Sequence, residues 1–268
     1  MKVVFVGRRN NFGWGIIRWL ADNYTVQAAF FTEEDRTTIK GKLHILALRA
    51  RRFGLISLFD ELVFRIYYIW RYSRKEAKLI AQNFPIEFRK DGGLNIPVFS
   101  SEDIHNPELI TALQSLAPDL IFCNCTHIIF KKSLYSIPRF GMFMLHEGIT
   151  PEYRGLHTPG WAILRKEYQY LGYTLLKVSA GIDTGPILCQ GVFPYRKEYE
   201  LCFGYVGHAA LLAGLPDIKE SLDKLFLNNG AFCAVAQQGR KSRNHSWIRM
   251  SSCLRLMLRS SGNGFSKG

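Results

Sequence analysis

Residues 3–31 read VVFVGRRNNFGWGIIRWLADNYTVQAAFF, and this stretch decides the fold. Residues 3–6 are apolar and are closed by Gly7, as is typical of a buried parallel strand. Apolar residues then recur at helical spacing over residues 14–23, and residues 26–31 form a second apolar run. A strand–helix–strand opening of this kind predicts a parallel sheet flanked by helices.

The rest of the chain continues the alternation of strand and helix patterns. Further strands are predicted at residues 96–98, 120–123, 142–145, 174–178 and 187–192. Helices are predicted at residues 45–82, 107–116, from 158 onward, 201–226 with a break at 214–216, and 247–258. We therefore predict an α/β protein with a Rossmann-like, mostly parallel sheet and helices on both faces. The predicted main domain spans residues 1–195, and a small, mostly helical extension with a basic tail spans 196–268.

Composition narrows the class of protein. Hydrophobic residues make up 47% of the 268 residues, which is enough to bury a core, so global disorder is not expected. The six cysteines are irregularly spaced, which indicates reduced thiols rather than a disulfide framework. Cys123 and Cys125 are separated by one residue and no second pair stands at zinc spacing, so no metal site is predicted.

The sequence shows no pattern typical of a secretory signal or a membrane span. The apolar run at residues 3–6 is too short for the core of a signal peptide. The longest apolar stretch, residues 55–70, is interrupted by Asp60, Glu61 and Arg65. We therefore expect a cytoplasmic protein.

Positive charge is large and unevenly distributed. The formal net charge is +13; residues 41–90 hold eleven Lys and Arg against four acids, and residues 239–268 hold seven against none. A basic surface suits phosphate-bearing partners such as a nucleotide sugar, tRNA or an anionic membrane face. A solvated surface without a dedicated partner accounts for the same charge.

Two segments carry the candidate chemistry. Residues 145–155 read LHEGITPEYRG, and residues 179–188 read SAGIDTGPIL. His146 follows a predicted buried strand, at the carboxyl end where ligands bind in open α/β sheets. Asp183 lies in a predicted tight turn between two strands. A carboxylate that orients an imidazole and stabilises its charged form makes the two a proton-transfer pair.

These segments resemble the formyltransferase family that uses 10-formyltetrahydrofolate. That family carries a His followed by a loop of the Leu-Pro-x-Tyr-Arg-Gly type and, about forty residues later, an Asp-Thr-Gly-Pro turn. Here the separation between His146 and Asp183 is 183 − 146 = 37 residues. The resemblance covers roughly residues 1–225 and is strongest over 95–195. It implies a catalytic domain that transfers a formyl group to an amine.

The resemblance also implies roles for particular residues. His146 would stabilise the oxyanion, and Asp183 would raise the basicity of His146 and help to move the proton lost by the amine. The folate donor would lie between the loop after residues 120–123 and the turn at 178–183. The implied folate-binding residues are His127, Ile128, Phe130, Val178, Gly181 and Ile182. The implied acceptor-binding residues are Tyr153, Arg154, Gly155 and Asn124. No metal is implied.

One position departs from the family pattern. The family has Asn two residues before the His, and this chain has Met144, whose thioether cannot donate a hydrogen bond. Loss of such a donor typically costs on the order of 10²–10³ in rate. Another donor such as Asn124, a backbone N–H or a water could replace it. Alternatively, the chain has a different acceptor or hydrolyses formylfolate, or it is a weak or inactive relative.

The family acceptors are initiator methionyl-tRNA, glycinamide ribonucleotide and amino sugars, and a related branch hydrolyses formyltetrahydrofolate. The tRNA enzymes of the family carry a C-terminal β-barrel, whereas residues 201–226 look helical and the run after them lacks alternating strands. We therefore expect an amino sugar or another small amine, with a nucleotide sugar favoured by a basic cleft and tRNA less favoured. The alternatives are a methionyl-tRNA formyltransferase, a hydrolase, or a non-catalytic relative that binds folate or a partner. In that last case the tail at residues 247–258 could contact a membrane surface.

Overall fold

A computed structural model of the chain describes residues 1–32, 50–51, 54–90, 92–124 and 128–262. His127, which the resemblance assigns to the folate site, lies outside the described residues, as does part of the predicted helix at 45–82. The strands are β1 (Lys2–Gly7), β2 (Thr25–Thr32), β3 (Val98–Ser101), β4 (Leu120–Asn124), β5 (Gly141–Glu147), β6 (Arg154–Gly155), β7 (Gly172–Lys177), β8 (Ile187–Val192) and β9 (Asn244–His245). The α-helices are α1 (Asn11–Asn23), α2 (Leu55–Asn83), α3 (Pro107–Leu116), α4 (Lys132–Tyr135), α5 (Thr158–Leu164), α6 (Phe203–Leu227) and α7 (Met250–Gly262).

The main sheet confirms the predicted α/β class. Its strand order is β3-β2-β1-β4-β5-β7-β8. Strands β3, β2, β1, β4 and β5 pair in parallel, whereas β7 pairs antiparallel with both β5 and β8. Strand β2 lies on one side of β1, and β4 lies on the other side, so the strand order reverses at β1. Ligands of open α/β sheets bind outside the carboxyl ends of the strands at such a reversal.

Hydrophobic residues cover both faces of this sheet. On one face, α1 and α6 pack against side chains such as Phe5, Phe122 and Phe143. On the other face, α3 and α4 cover a smaller cluster that includes Val6 and Met142. The alternation of side chains along the strands sends successive residues to opposite faces, so both faces are apolar, as expected of buried parallel strands.

Helix boundaries differ from the sequence prediction in three places. Helix α1 begins three residues earlier than predicted, because the side chain of Asn10 caps it by accepting the Gly13 N–H at 2.7 Å. Helix α7 begins at Met250 rather than at residue 247. The predicted break at residues 214–216 is wrong, since α6 is continuous through Pro216.

Tertiary packing explains why α6 tolerates its proline. A proline removes one helical N–H donor and normally kinks or ends a helix. Leu215 and Ile218 are buried on either side of Pro216. Gly214 brings the backbone so close to β7 that an added Cβ would lie 2.6 Å from the Tyr173 ring. Burial against the sheet therefore outweighs the local cost.

Helix α6 packs against β5, β7 and β8 and shares one hydrophobic cluster with them. The division of the chain at residue 195 stays a prediction. Within the described residues, none of the helices combines the length and the apolarity needed to cross a bilayer.

Candidate active site

His146 is buried near the carboxyl end of β5, and both of its ring nitrogens face oxygen atoms. Nε2 lies 2.8 Å from the Tyr153 carbonyl oxygen. Nδ1 lies 3.6 Å from Oδ2 of Asp183. Because a carbonyl oxygen only accepts, Nε2 donates and carries a hydrogen in this arrangement. Nδ1 is then the nitrogen that faces the Asp183 carboxylate.

The turn that carries Asp183 is held by contacts of its own. Asp183 has a left-handed backbone conformation, with φ of 49°. Its carboxylate accepts the Gly155 N–H at 2.9 Å. Two residues later, Gly185 packs so tightly that an added Cβ would lie 1.7 Å from the Lys177 carbonyl oxygen. The glycine permits the close turn, and the turn places the carboxylate beside His146.

Gly155 joins the Asp183 turn to a distant part of the chain. It belongs to the two-residue strand β6, which pairs in parallel with β9. Its φ is 88°, and an added Cβ would lie 2.4 Å from both Oδ1 of Asn244 and the carbonyl oxygen of His245. Only glycine fits this position without displacing its neighbours.

A cleft of about 490 Å³ opens above the carboxyl ends of β1, β4 and β5. It lies at the point where the strand order reverses, as the general rule for open α/β sheets expects. His146, Asp183, Asn124, Gly155 and Met144 all contribute to its wall. The structure therefore brings the predicted proton-transfer pair and two predicted acceptor-binding residues into one cavity.

Asn124 lines the same cleft as His146, and its side-chain oxygen makes no hydrogen bond to any described residue. It ends β4, where its Cα is in register with Leu145 of β5. The side chain is 5% exposed, and its buried oxygen is unpaired. Unpaired buried polar atoms are uncommon in folded proteins, and a ligand is one explanation for them. Met144 precedes Leu145 on β5, is in register with Cys123 of β4, and lines the same cleft.

Tyr153 and Arg154, which the resemblance places near the acceptor, make contacts within the protein. The Tyr153 side chain is fully buried, and its hydroxyl donates to Glu167. Burial, together with the Glu167 carboxylate, raises the pKa of Tyr153 above its usual range. Arg154 donates from Nη1 to the Ile182 carbonyl oxygen at 2.8 Å. Tyr153 thus reaches the site through its backbone, as the acceptor for His146.

The described residues assigned to the folate donor lie outside the wall of this cleft. Phe130 is buried in the smaller hydrophobic cluster, and Ile128 and Val178 pack against that cluster. Gly181 and Ile182 are exposed on the turn that precedes Asp183. The structure therefore brings Ile128, Phe130 and Val178 together on one face of the sheet, while the cleft opens beside helices of the other face.

The sequence analysis missed several residues of the cleft wall. His208 of α6 stacks on Phe12 with ring centroids 4.1 Å apart, and its Nε2 lies 3.5 Å from the Glu147 carboxylate. Phe64 and Tyr68 face the cleft from α2. Their i, i+4 spacing was visible in the sequence, whereas the position of α2 above the sheet was not.

His245, which pairs with Gly155, gives the protein a stability that depends on pH. Its buried ring stacks on Tyr153 and Trp161. Burial lowers the pKa of His245 from 6.5 to about 4, and the positive charge of Arg165 adds to this effect. The unfolded chain therefore takes up a proton near pH 6.5, whereas the folded chain does so only near pH 4. Because the unfolded state binds more protons in this window, the free energy of unfolding should decrease as the pH falls from 6.5 to 4.

Chemical denaturation at several pH values between 4 and 8 measures this decrease. The variant His245→Gln keeps a polar side chain but does not titrate, so its decrease over the same window should be smaller. An identical pH dependence of the two proteins would contradict the assignment to His245.

The described residues contain no group of three or more His, Cys, Asp or Glu side chains placed to hold a metal ion.

Comparisons with known proteins connect this geometry to a family. The sequence profile of the family described as Formyl transferase matches residues 72–201. Curated methionyl-tRNA formyltransferases from Geobacter metallireducens and Dehalococcoides mccartyi are each 32% identical, over 134 and 103 residues. These matches cover 48% and 38% of this chain but only 41% and 33% of the two relatives. The chain thus matches less than half of the length of these curated relatives.

Solved structures share the fold at low sequence identity. A sugar N-formyltransferase from a Shewanella species aligns with a TM-score of 0.54 and 13% identity, over 96% of this chain and 88% of that one. Glycinamide ribonucleotide transformylase 1 from Symbiobacterium toebii aligns with a TM-score of 0.53 and 17% identity, over 90% and 92%. Residues 72–201 are thus similar in sequence to the formyltransferase family, and the solved structures share the fold of the chain.

Proposed function

We propose that this protein transfers a formyl group from 10-formyltetrahydrofolate to a small amine. The observation that carries the proposal is the cleft in which His146 faces Asp183 at 3.6 Å. The wall of this cleft also holds Asn124, whose buried side-chain oxygen has no hydrogen-bond partner among the described residues. An imidazole paired with a carboxylate can accept and release a proton. An amide can hydrogen-bond to a polar group of the reactant. Formyl transfer to an amine needs both functions.

Each of the three side chains has a separate task in the proposed reaction. Nδ1 of His146 accepts the proton that the attacking amine loses and returns it to the folate nitrogen, whose bond to the formyl carbon breaks after the new C–N bond has formed. Asp183 stabilises the charged imidazole and keeps its orientation. The Asn124 amide rotates so that its NH₂ group donates to the formyl oxygen, on which negative charge develops. Asn124 thereby takes the role that the family gives to the residue at the position of Met144.

The donor fits beside the smaller hydrophobic cluster. The folate supplies the formyl group, and its ring system needs an apolar slot with a few polar contacts. Ile128 and Val178 are partly buried apolar residues on the Phe130 side of the sheet, and the exposed turn at Gly181 and Ile182 leads directly to Asp183. Placed there, the donor approaches the catalytic group from the face opposite the cleft. The acceptor then enters through the cleft.

The wall of the cleft favours a hydroxylated amine over a diphosphate. Its described Arg side chains, Arg8 and Arg65, are accompanied by the acids Glu61, Glu147 and Asp183, so the cleft is mixed in charge rather than basic as the sequence suggested. Aromatic rings complete the wall; they belong to Phe64, Tyr68, His157, Phe203 and Trp247. Aromatic faces with interspersed polar groups suit a sugar ring that carries an amine.

The proposal is tested by incubating the purified chain with 10-formyltetrahydrofolate and a panel of amino sugars, nucleotide-linked amino sugars and simple amines. Formylated product should appear only when an amine is present, and it should be identified by mass. Consumption of the donor without any acceptor would favour hydrolysis. Folate binding without turnover across the whole panel would indicate a non-catalytic relative.

A substitution of Asn124 tests its assigned role. Asn124→Ala should lower kcat by about 10²–10³, because one donor to the developing oxyanion is lost. Asn83→Ala is the matched control, since the Asn83 amide donates to the Leu79 carbonyl oxygen on the exposed side of α2. A kcat of Asn124→Ala within threefold of the Asn83→Ala value would remove Asn124 from the proposed catalytic group.

Methionyl-tRNA is the second candidate acceptor, because the curated relatives with sequence identity near 32% are methionyl-tRNA formyltransferases. Adding initiator tRNA that carries methionine to the acceptor panel compares the tRNA directly with the small amines. The small-amine proposal requires a higher kcat/KM for at least one small amine than for the tRNA.

A further inference from the structure

Helix α2 carries a row of large apolar side chains on its solvent side. The row, called here the α2 stripe, consists of Leu55, Phe59, Leu62, Ile66, Ile69 and Trp70. These positions recur every three or four residues and therefore share one helix face. Phe59 is 67% exposed and Trp70 is 77% exposed. Contiguous exposed apolar surface of this kind marks an interaction site.

The opposite face of α2 already serves the fold. Phe64 and Tyr72 are buried, and Phe64 stacks on Phe203 with ring centroids 6.5 Å apart. The helix therefore has two apolar faces, one packed on the protein and one turned outward. Packing among the described residues accounts only for the first.

Most charged side chains of α2 that contact the rest of the protein are acids or their counter-ions. Asp60 accepts hydrogen bonds from the backbone and hydroxyl of Ser251, Glu76 accepts the Tyr205 N–H at 2.9 Å, and Glu61 lines the cleft. Arg71 and Lys75 pair with Glu200. The side chains of Arg65, Arg74 and Lys78 are exposed. The outward surface of α2 thus combines apolar side chains with positive charge.

We propose that the α2 stripe docks this protein onto a lipid bilayer that contains anionic phospholipids. A helix with exposed Trp, Phe and Leu beside Arg and Lys is the pattern of segments that lie in the membrane interface. The apolar row enters the headgroup boundary, and the flanking cations meet the anionic headgroups. This inference does not depend on the proposed formyl transfer.

The charges disfavour the other occupants of the stripe. A second copy would bring together two chains of net charge +13 at surfaces that are both cationic. RNA would satisfy the cations but would leave Leu62 and Ile66 without an apolar partner. Ile69 belongs both to the stripe and to the wall of the cleft. Docking would therefore hold the mouth of the cleft beside the bilayer.

Vesicle co-sedimentation of the full chain tests the proposal. The probes are vesicles of phosphatidylcholine alone and vesicles of phosphatidylcholine with phosphatidylglycerol at 3:1. The double variant Ile66→Glu/Trp70→Glu changes the stripe, and Leu227→Glu/Val192→Glu makes the same charge change at two other exposed apolar positions, 85% and 62% exposed. The wild type and the control should bind anionic vesicles, and the stripe variant should bind at least tenfold more weakly. Added salt should weaken binding of all three.

The same measurements define the contrary outcomes. Equal binding by the two double variants, or no binding by the wild type, would overturn the proposal. Sedimentation equilibrium without vesicles adds an independent readout, because a dimer that the stripe variant abolishes would assign the stripe to a second copy. Thermal unfolding of both variants checks that each of them is folded.

Discussion

The variant His146→Ala is expected to lose formyl transfer almost completely, with kcat reduced on the order of 10³-fold. The ring combines a donor contact to the Tyr153 carbonyl oxygen with an approach of 3.6 Å to Asp183. Alanine removes the group that accepts the proton and leaves the Asp183 carboxylate with the Gly155 N–H but without an imidazole. Steady-state kinetics with the best amine acceptor measures the loss. Asp183→Asn should lower kcat less, because the imidazole remains.

His157→Ala is the matched control for this experiment. His157 lines the same cleft, but its ring contacts Phe203 and Trp247 rather than Asp183. Its removal should raise the KM for the acceptor and leave kcat within tenfold of the wild type. If His146→Ala retained a kcat comparable to that of His157→Ala, the assignment of proton transfer to His146 would be wrong. Thermal unfolding separates a catalytic loss from a folding defect.

The variant Arg240→Ala is expected to destabilise the fold by about 3 kcal/mol, the lower end of the range for breaking a buried ion pair. Arg240 donates to both Glu152 carboxylate oxygens, at 2.9 and 2.7 Å, and to the Gln190 side-chain oxygen at 2.9 Å. Glu152 is 8% exposed. Alanine would leave a buried carboxylate without its counter-charge, and that cost is larger than the gain from the intact pair.

Two further variants test this explanation. Adding Glu152→Gln to Arg240→Ala should recover part of the stability, because the buried charge is then removed. Arg196→Ala breaks the exposed pair of Arg196 and Glu198 and should change stability by less than about 1 kcal/mol. Free energies of unfolding from urea titrations provide the comparison. No recovery in the double variant would show that lost packing, rather than the unpaired charge, causes the destabilisation.

The fold was largely predictable because its signals are local. The apolar runs ending at Gly7 and before Asn124 predicted buried parallel strands, and the structure pairs β1 with β4 in parallel. Asn106 and Pro107 predicted a helix start that the structure shows, with the Asn106 side chain capping α3. The break predicted at Pro216 failed because burial against β7 outweighs the local effect of a proline.

The candidate site was predictable only in part. The proximity of His146 and Asp183 was predicted because two segments of the sequence resemble the formyltransferase family. The structure shows that the two side chains lie close together. The contacts of Arg240 with Glu152, and of His208 with Glu147, join residues that are 88 and 61 positions apart. No periodicity or motif encodes such pairs, since they depend on how helices and loops pack across the sheet. The burial of the Tyr153 side chain could not be predicted from the sequence for the same reason.

The pairing of β6 with β9 has a consequence for the order of assembly. Gly155 donates its N–H to Asp183 and pairs through its backbone with His245, while Leu156 donates to the His245 carbonyl oxygen at 2.9 Å. Synthesis proceeds from the amino terminus, so the main sheet can form while residue 245 is still inside the ribosome. The short strand β6, whose Gly155 contacts Asp183, can pair with β9 only after residue 245 has left the ribosome. A nascent chain would therefore form the sheet before the cleft around Asp183 is complete.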